Sequence, residues 1–218
     1  MKSFEFSFCR RQNENRYTSK DAEASLYGVT DGKAIGTYLE QKFRQYLKDK
    51  YDFVEGNSAI GIDFLSLLVD TKVTSFRQPQ SSCPFKSARQ KIFGLGYGLI
   101  IFVYDKSDDS SNRTWTLNIL RTIYVSADRT GDFQMTRGIR STFANEDNKD
   151  DLMAFMIDCN LPVDKIELSN IADEILGRPP IQGFLTISNA LQWWLQYSRV
   201  IELAGKEEGL IAIYRSDA

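Results

Sequence analysis

The sequence predicts a mixed α/β fold, in which a mixed central sheet is flanked by helices and followed by a helix-rich C-terminal part. Three observations support this prediction: an amphipathic helical pattern precedes a group of apolar segments, a short helical segment separates two of them, and helical periodicity dominates after residue 145. The 218 residues contain no internal repeat. We therefore expect one domain over 1–218, with a core at about 30–126 and a helix-rich subregion at about 145–205.

The first helix is predicted from Gly32 to Lys50. Its apolar residues recur at spacings of three and four, which places them on one face. They are Ile35, Tyr38, Leu39, Phe43, Tyr46 and Leu47. A helix with one apolar face needs a layer to cover, and we expect that layer to be the sheet that follows.

Three apolar segments predict the strands of this sheet. They are Leu67 to Val73, Leu99 to Tyr104 and Trp115 to Val125. Such continuous apolarity is typical of strands that are covered on both faces. Between the first two, Phe85–Phe93 is predicted to form a short crossover helix, whereas the polar stretch Asp105–Arg113 is predicted to be a surface loop.

Beyond residue 145 the pattern becomes helical. Helices are predicted around Leu152–Met156, at Ile166–Leu176 and at Ile187–Ile201, and Leu210–Tyr214 is predicted to return to the sheet as a strand. The segment Leu168–Leu176 also matches the opening of a helix-turn-helix, but ordinary packing helices share this short pattern.

Composition excludes several kinds of catalysis. The chain has no histidine, which rules out serine and cysteine hydrolases that depend on histidine, zinc sites ligated by imidazole, and nucleases with a histidine base. Cys9, Cys83 and Cys159 are widely separated and form no CxxC pair, so neither a disulfide framework nor a zinc site is predicted. Catalysis must therefore use carboxylates, lysine, hydroxyl groups or a metal bound through oxygen.

Charge and hydropathy give only general limits. The formal net charge is −2, so any attraction to nucleic acid must be local. No apolar run has the length of a membrane-spanning helix, and the polar N-terminal residues lack the apolar stretch of a signal peptide. We therefore expect a cytoplasmic location.

Two charged residues directly follow the first apolar strand segment. Asp70 and Lys72 are two residues apart, so on a strand their side chains point to the same face. Two charges on an otherwise apolar strand are costly unless they are paired or bind a metal. The same spacing at Asp31–Lys33, Glu40–Lys42 and Asp147–Lys149 lies in the first helix or in a polar loop. Only Asp70 and Lys72 therefore have the context of a site.

A second carboxylate, Asp63, lies seven residues before Asp70. If the chain reverses around Ser66–Leu67, Asp63 and Asp70 form a cross-strand pair with Cβ atoms on the order of 5 Å apart. If Asp63 instead lies on a loop before the strand, the carboxylates are still neighbours. Paired carboxylates can hold Mg²⁺, and a nearby cation can orient an attacking water. The alternative is a turn residue beside a surface ion pair.

The segments Gly61-Ile62-Asp63 and Val69-Asp70-Thr71-Lys72-Val73-Thr74-Ser75 resemble the active-site signature of the PD-(D/E)XK nucleases. The continuation Gln78-Pro79-Gln80-Ser81-Ser82 resembles that of bacterial type II restriction endonucleases. Together the resemblance covers roughly residues 30–105. Ile62 stands where the motif has proline, and the gap between the two acids is short. The resemblance implies a restriction-endonuclease-like core that cleaves double-stranded DNA with Mg²⁺.

The resemblance also implies a role for each matching residue. Asp63 and Asp70 would ligate Mg²⁺ together with the backbone carbonyl of Thr71. Lys72 would position or activate the water that attacks phosphorus. The products would carry 5′-phosphate and 3′-hydroxyl ends.

Two further residues resemble accessory groups of this family. Glu40 matches the acidic residue that relatives place on the N-terminal helix, and a solvated helix position is the alternative. Gln90 resembles a glutamine that some relatives place beside the metal, and structural packing is the alternative.

Candidate DNA contacts flank the catalytic strand and recur on a later helix. The stretch from Arg77 to Lys91 contains basic residues and no acidic ones, and its polar side chains suit phosphates and base edges. Arg137 and Arg140 share one side of a predicted helix, for which a solvated face is the alternative. The candidates are Arg77, Gln78, Gln80, Ser81, Ser82, Lys86, Arg89, Lys91, Arg137 and Arg140. Trp115 and Trp193–Trp194 are expected in the core or at a dimer interface.

The expected partners follow from this interpretation. Double-stranded DNA is the substrate, and a homodimer would cut two antiparallel strands with one site per subunit. A methyltransferase would modify the same DNA sequence without binding this chain. The alternatives are a structure-specific repair or recombination nuclease of the same superfamily and a non-catalytic helix-turn-helix regulator. A small-molecule α/β enzyme is disfavoured, because the glycine cluster Gly94–Gly98 precedes a strand instead of opening a helix.

Overall fold

The computed structural model describes residues 16–18, 26–51, 62–145, 148–187 and 194–216. Cys9, Gly61, Asp147 and Trp193 lie outside these ranges. In chain order the helices and strands are β1 (Arg16–Thr18), α1 (Gly32–Lys48), β2 (Val69–Ser75), β3 (Gln80–Ser82), α2 (Ala88–Phe93), β4 (Gly98–Asp109), β5 (Thr114–Val125), α3 (Phe133–Ala144), α4 (Lys149–Asp158), α5 (Lys165–Gly177), β6 (Thr186–Ile187), β7 (Trp194–Gln196), α6 (Ser198–Leu203) and β8 (Leu210–Arg215).

The main sheet is mixed. Its strand order is β1-β5-β4-β2, and β8 also pairs with β5. Strands β2 and β4 are parallel, whereas the pairs β4–β5, β1–β5 and β5–β8 are antiparallel. The connection from β2 to β4 contains α2, since parallel neighbours need a crossover. The predicted mixed α/β architecture is confirmed.

Strand β4 lies at the centre of this sheet and explains how helices pack on both faces. Its side chains alternate between two faces. Ile100 and Phe102 pack with residues of α1 in one apolar cluster, whereas Leu99 and Ile101 pack with Val200 of α6 in another. All of these residues are at most 3% exposed, so β4 is covered on both sides, as its apolar sequence predicts.

Helix α1 begins where the sequence provides a cap. The Asp31 side chain accepts hydrogen bonds from the backbone N–H groups of Lys33 and Ala34, which satisfies two donors of the first turn. The helix then buries Ile35 and Phe43 against the sheet. The predicted helix is confirmed, and its apolar face fixes which residues of α1 lie along the edge strand β2.

A second, smaller sheet replaces a predicted helix. The prediction of one helix over Ile187–Ile201 is wrong, because Thr186–Ile187 and Trp194–Gln196 are strands that pair with each other. Trp194–Gln196 also pairs with β3, and among the described residues of this stretch the helix begins only at Ser198. Backbone pairing with a distant strand overrides the local pattern here. This sheet includes β3, which follows β2 in the chain and carries three of the predicted DNA contacts.

The predicted surface loop at Asp105–Arg113 is also wrong over most of its length. Strand β4 continues to Asp109, and Asp105 to Asp109 pair with Asn118 to Thr114 of β5. The polar side chains are tolerated because this end of the hairpin projects into solvent, where Ser107 to Asn112 are exposed. The reversal itself is limited to residues 110–113.

Helices α3, α4 and α5 pack together around a third apolar cluster. Helix α5 buries Leu168, Ile171, Ala172 and Ile175 in it. Its apolar face is therefore used for packing within the chain, which agrees with the interpretation of Leu168–Leu176 as part of an ordinary packing helix. No described helix has both the length and the apolarity needed to cross a membrane.

Candidate active site

A tight reversal places Asp63 opposite Asp70. Phe64 and Val69 form an antiparallel bridge with backbone hydrogen bonds of 3.0 and 3.2 Å. A single 3₁₀ turn, Leu65–Leu67, connects them, and Leu68 closes it in the left-handed region at φ 51°. Because Phe64 pairs with Val69, the next residues outward in this register are Asp63 and Asp70. The predicted reversal around Ser66–Leu67 is confirmed.

Asp63 is held by two donors. Its Oδ2 accepts a hydrogen bond of 3.1 Å from the backbone N–H of Thr71, and its Oδ1 lies 3.1 Å from Nη2 of Arg44. The first contact ties Asp63 to the edge of β2, and the second ties it to α1. Arg44 was not predicted as a site residue. Its position one turn beyond Glu40, on the same side of the helix, is the signal that could have identified it.

Asp70 and Lys72 form a close ion pair on one face of β2. Nζ of Lys72 lies 2.6 Å from Oδ2 of Asp70, and Asp70 is only 5% exposed. Burial raises the pKa of Asp70, the charge and hydrogen bond of Lys72 oppose that rise, and the charge of Asp63 adds to it. Asp70 is therefore a buried carboxylate whose charge depends on neighbouring cations.

Glu40 joins this group from α1. Burial raises its pKa to about 7, and the negative charges of Asp63 and Asp70 contribute, while Lys72 and Arg44 lower it. Three carboxylates and two cations thus act on one another across the edge of the sheet. Glu40 is half-buried beside them, so the structure brings the four predicted catalytic residues together.

The backbone of Thr71 faces the same edge. Leu68 accepts a hydrogen bond of 2.9 Å from the N–H of Gly98 in β4, whereas both backbone groups of Val69 bond to Phe64 on the other side. Backbone groups therefore alternate along β2, and those of Thr71 point away from β4. The N–H of Thr71 indeed reaches Asp63, so its carbonyl belongs to the edge that carries the carboxylates.

These groups fit Mg²⁺ as a ligand set. Among the described residues, no three His, Cys, Asp or Glu side chains lie close enough together to form a complete metal site. Mg²⁺ does not require such a cage, because it keeps several waters and is bound through one or two carboxylates. Asp63, Asp70 and the Thr71 carbonyl supply that smaller set. Burial is the main cause of the raised pKa of Glu40, and the negative charges of Asp63 and Asp70 add to it.

A cleft of about 970 Å³ opens beside these residues. Glu40 and Lys72 line it, as does the N-terminal part of α1. Five predicted DNA-binding residues also line it, namely Arg77, Gln78, Gln80, Ser81 and Ser82. The structure therefore places half of the predicted DNA contacts in one concave surface with Glu40 and Lys72, while Asp63 and Asp70 lie behind Lys72 and do not line the cleft.

The segment that carries these five residues is fixed by hydrogen bonds. The hydroxyl of Thr74 donates to the carbonyl of Gln80 at 3.1 Å, and the N–H of Tyr197 donates to the carbonyl of Pro79 at 2.8 Å. The hydroxyl groups of Ser81 and Tyr197 are 2.6 Å apart. All three residues of β3 belong to the small sheet, and Ser81 in addition has a side-chain partner in Tyr197.

The other five predicted DNA contacts do not line this cleft. Arg89 forms an ion pair with Glu174 of α5, the guanidinium of Arg140 donates to the carbonyl of Pro180 at 3.3 Å, and Arg137 lies 5.9 Å from the Phe133 ring. Lys86 and Lys91 lie before and within α2. Contact of these five residues with DNA stays a prediction.

Three further predicted positions can be compared with the structure. Oε1 of Gln90 accepts from the N–H of Lys86 at 2.7 Å, and its Nε2 reaches the carbonyl of Leu95, which fits the packing alternative. Trp115 lies in the core as predicted, at 2% exposure. Trp194 is 41% exposed and lines the cleft of about 970 Å³, which we call the catalytic cleft after its predicted role. The sequence did not indicate this position.

Comparison with known proteins gives a consistent result. The family model described as "Type II restriction enzyme NspV" matches residues 7–212. The chain is 75% identical over 195 residues to the type II restriction enzyme NspV of Nostoc sp. (strain ATCC 29411 / PCC 7524), covering 89% of each chain. No solved structure matches the chain significantly. The chain belongs to the NspV family of type II restriction enzymes.

Proposed function

We propose that this protein is a Mg²⁺-dependent site-specific endonuclease of the PD-(D/E)XK type that hydrolyses double-stranded DNA in a restriction-modification system. The observation that carries the proposal is the group formed by Asp63, Asp70, Lys72 and Glu40, in which Lys72 and Glu40 line a large cleft. The relative with 75% identity is a type II restriction enzyme, which supports the same activity here.

Each residue has a defined task in this proposal. Asp63, Asp70 and the carbonyl of Thr71 would hold Mg²⁺, which when bound withdraws charge from the phosphate and favours ionisation of a water. Lys72 keeps Asp70 charged and presents an ammonium group to the cleft, where it orients the attacking water. Glu40, with a pKa of about 7, can take up a proton near neutral pH. Arg44 positions Asp63 and is not a catalytic residue.

The cleft supplies groups for binding and reading DNA. Arg77 suits a phosphate, and the amides of Gln78 and Gln80 suit base edges in a groove. Ser82 stands opposite Trp194 across the pair β3–β7, so a polar and an aromatic side chain are adjacent at the cleft wall. These residues are the proposed source of sequence specificity.

The remaining features of the proposal follow from the reaction. Two antiparallel strands are cut symmetrically if two copies of this single domain form a homodimer with one site each. A methyltransferase that modifies the same sequence would protect the host DNA. Both enzymes must meet DNA inside the cell, so the proposal places this chain in the cytoplasm.

Digestion of DNA tests this proposal. Unmethylated phage DNA is incubated with the purified protein, with and without Mg²⁺ at about 5–10 mM, a range suited to a metal held mainly by carboxylates and water. We expect discrete fragments, 5′-phosphate ends and no cleavage when Mg²⁺ is omitted. Cleavage only at branched or mismatched substrates would instead indicate a structure-specific repair nuclease, and no cleavage of any DNA would refute the proposal.

A further inference from the structure

A second cleft of about 580 Å³ meets the catalytic cleft at Arg77. Arg77 lines both clefts, and the second is also lined by Arg121, Lys206 and Arg215. Glu202 is the acidic residue in its lining. The second cleft is therefore locally positive in a chain whose formal net charge is −2.

Three of the four cations of this cleft have no carboxylate partner within the described residues, whereas Nε of Arg77 lies 3.4 Å from Oδ1 of Asp105. Arg121 and Arg215 stand opposite each other on β5 and β8, an arrangement in which like charges destabilise a sheet. Nε of Arg121 is buried and has no hydrogen-bond partner in the described ranges. In those same ranges, neither Arg121, Lys206 nor Arg215 forms an ion pair with a carboxylate.

Burial and the nearby charge of Arg215 also lower the pKa of Arg121. A bound anion would reduce the repulsion between the two guanidinium groups, and it would accept a hydrogen bond from the buried Nε–H of Arg121. The cations are spread along a groove instead of converging on one point, since they come from β2's end, β5, β8 and the segment after α6. Such a spread suits a chain of phosphates better than a single small anion.

We propose that this second cleft binds backbone phosphates of the DNA that extends beyond the base pairs held in the catalytic cleft. The inference rests on the proposed function, because it takes the catalytic cleft as the place where the DNA is cut. Arg77 marks the crossing from one cleft to the other, and Arg121, Lys206 and Arg215 contact the phosphates that follow. The hydroxyl groups of Ser198 and Tyr214, which also line the second cleft, are further donors for phosphate oxygens.

The test is the salt dependence of DNA binding without metal, for the wild-type protein and the double variant Lys206→Gln/Arg215→Gln. Both residues are exposed, so the fold should tolerate the change. Each lost phosphate contact lowers the magnitude of the slope of log K against log salt by about 0.9, so we expect a slope smaller by about 1.8. With equal affinities at a reference of about 1 M salt, the double variant should then bind about 60-fold more weakly at ~0.1 M salt. Arg178→Gln, at an exposed position after α5, is the matched control and should keep the wild-type slope.

DNA length locates the contact. Two duplexes are compared, one limited to a cleavage site mapped by digestion and one extended on both sides of it. The double variant should lose affinity for the long duplex and bind the short one like the wild type. Equal slopes for variant and wild type, or an equal loss on both duplexes, would overturn the inference.

Two controls distinguish DNA phosphates from a small anion, and DNA binding from DNA cleavage. Inorganic phosphate is titrated in a thermal unfolding assay of the wild type and the double variant. If phosphate stabilises only the wild type while the salt slopes of DNA binding are equal in both proteins, the second cleft binds a small anion and the proposal is overturned. Cleavage by the wild-type preparation is measured separately. If it binds DNA with the expected slopes but never cleaves it, the proposed function fails while the second cleft stands.

Discussion

The pairing of Lys72 with Asp70 is the residue-scale feature on which the proposed mechanism depends most. Nζ of Lys72 is 2.6 Å from a carboxylate that is almost fully buried. A cation in this position serves two purposes in the proposed mechanism, since it opposes the rise that burial causes in the pKa of Asp70 and can orient a nucleophile in the cleft. The two purposes predict separate measurable effects of removing the charge.

Lys72→Met removes the charge and keeps most of the side-chain length. We expect the single-turnover rate of DNA cleavage to fall by about 10²- to 10⁴-fold. The free energy of unfolding in EDTA should also fall, by about 1–3 kcal/mol, because a buried acceptor loses its partner. Rapid-quench assays and urea denaturation measure the two effects. A variant with the wild-type cleavage rate would show that Lys72 is only a structural partner of Asp70.

The raised pKa of Glu40 leads us to expect that the stability of the protein depends on pH. Its pKa rises from 4.5 to about 7 in the folded protein, so the folded state holds a proton that the unfolded state releases at lower pH. The contribution of Glu40 to stability is therefore present below the unfolded value and is lost as the pH rises through about 7. Metal-free wild-type protein should lose thermal stability between about pH 5 and pH 8 more steeply than Glu40→Gln. Parallel Tm curves for the two proteins would contradict this assignment.

At the scale of elements, the turn between Phe64 and Val69 sets the distance between the two acids. Leu68 is 53% exposed and adopts a left-handed conformation, which is unfavourable for a non-glycine residue. The turn is retained because the bonds between Phe64 and Val69 fix its ends. A short gap between the acids is therefore compatible with their pairing.

Substitutions at Leu68 test this turn. Leu68→Asn should leave stability unchanged or raise it by up to about 1 kcal/mol, because Asn tolerates the left-handed region and little apolar area is lost. Leu68→Val should lower stability by about 1–2 kcal/mol, since β-branched residues tolerate this region poorly. Leu67→Val, at a neighbouring exposed position, is the control in urea denaturation. If Val were as well tolerated at position 68 as at 67, the turn would not be strained as described.

Local patterns predict the elements whose partners are near in the chain. Helix α1 and strands β2, β4 and β5 could be predicted because each carries a periodicity that follows from the face it buries. The small sheet could not, since Trp194–Gln196 lies between Thr186–Ile187 and Gln80–Ser82, and the latter strand is more than a hundred residues away. Arg44 was missed for a related reason, because its partner Asp63 lies on another element.

At the scale of the whole molecule, two sheets and one helix converge on the cleft. The main sheet supplies Lys72, α1 supplies Glu40, and the small sheet supplies Gln80 and Ser82. The placement of Asp70 and Lys72 on one face of β2 could be predicted from a short motif, because strand alternation fixes the direction of both side chains. The shape of the cleft could not, since it depends on how β3 and β7 meet. The proposed catalytic residues and the proposed DNA contacts are thus adjacent because β2 leads directly into β3.

DNA cleavage by Asp70→Asn tests whether this carboxylate is the centre of the active site. The substitution keeps the size of the side chain and removes the charge that would hold Mg²⁺, so its single-turnover cleavage in Mg²⁺ is compared with that of wild type and of Asp150→Asn, a control at an exposed position of α4. We predict that Asp70→Asn binds DNA but yields no discrete fragments, while the control cleaves like the wild type. Site-specific cleavage by Asp70→Asn at the wild-type rate would contradict the assignment of this active site.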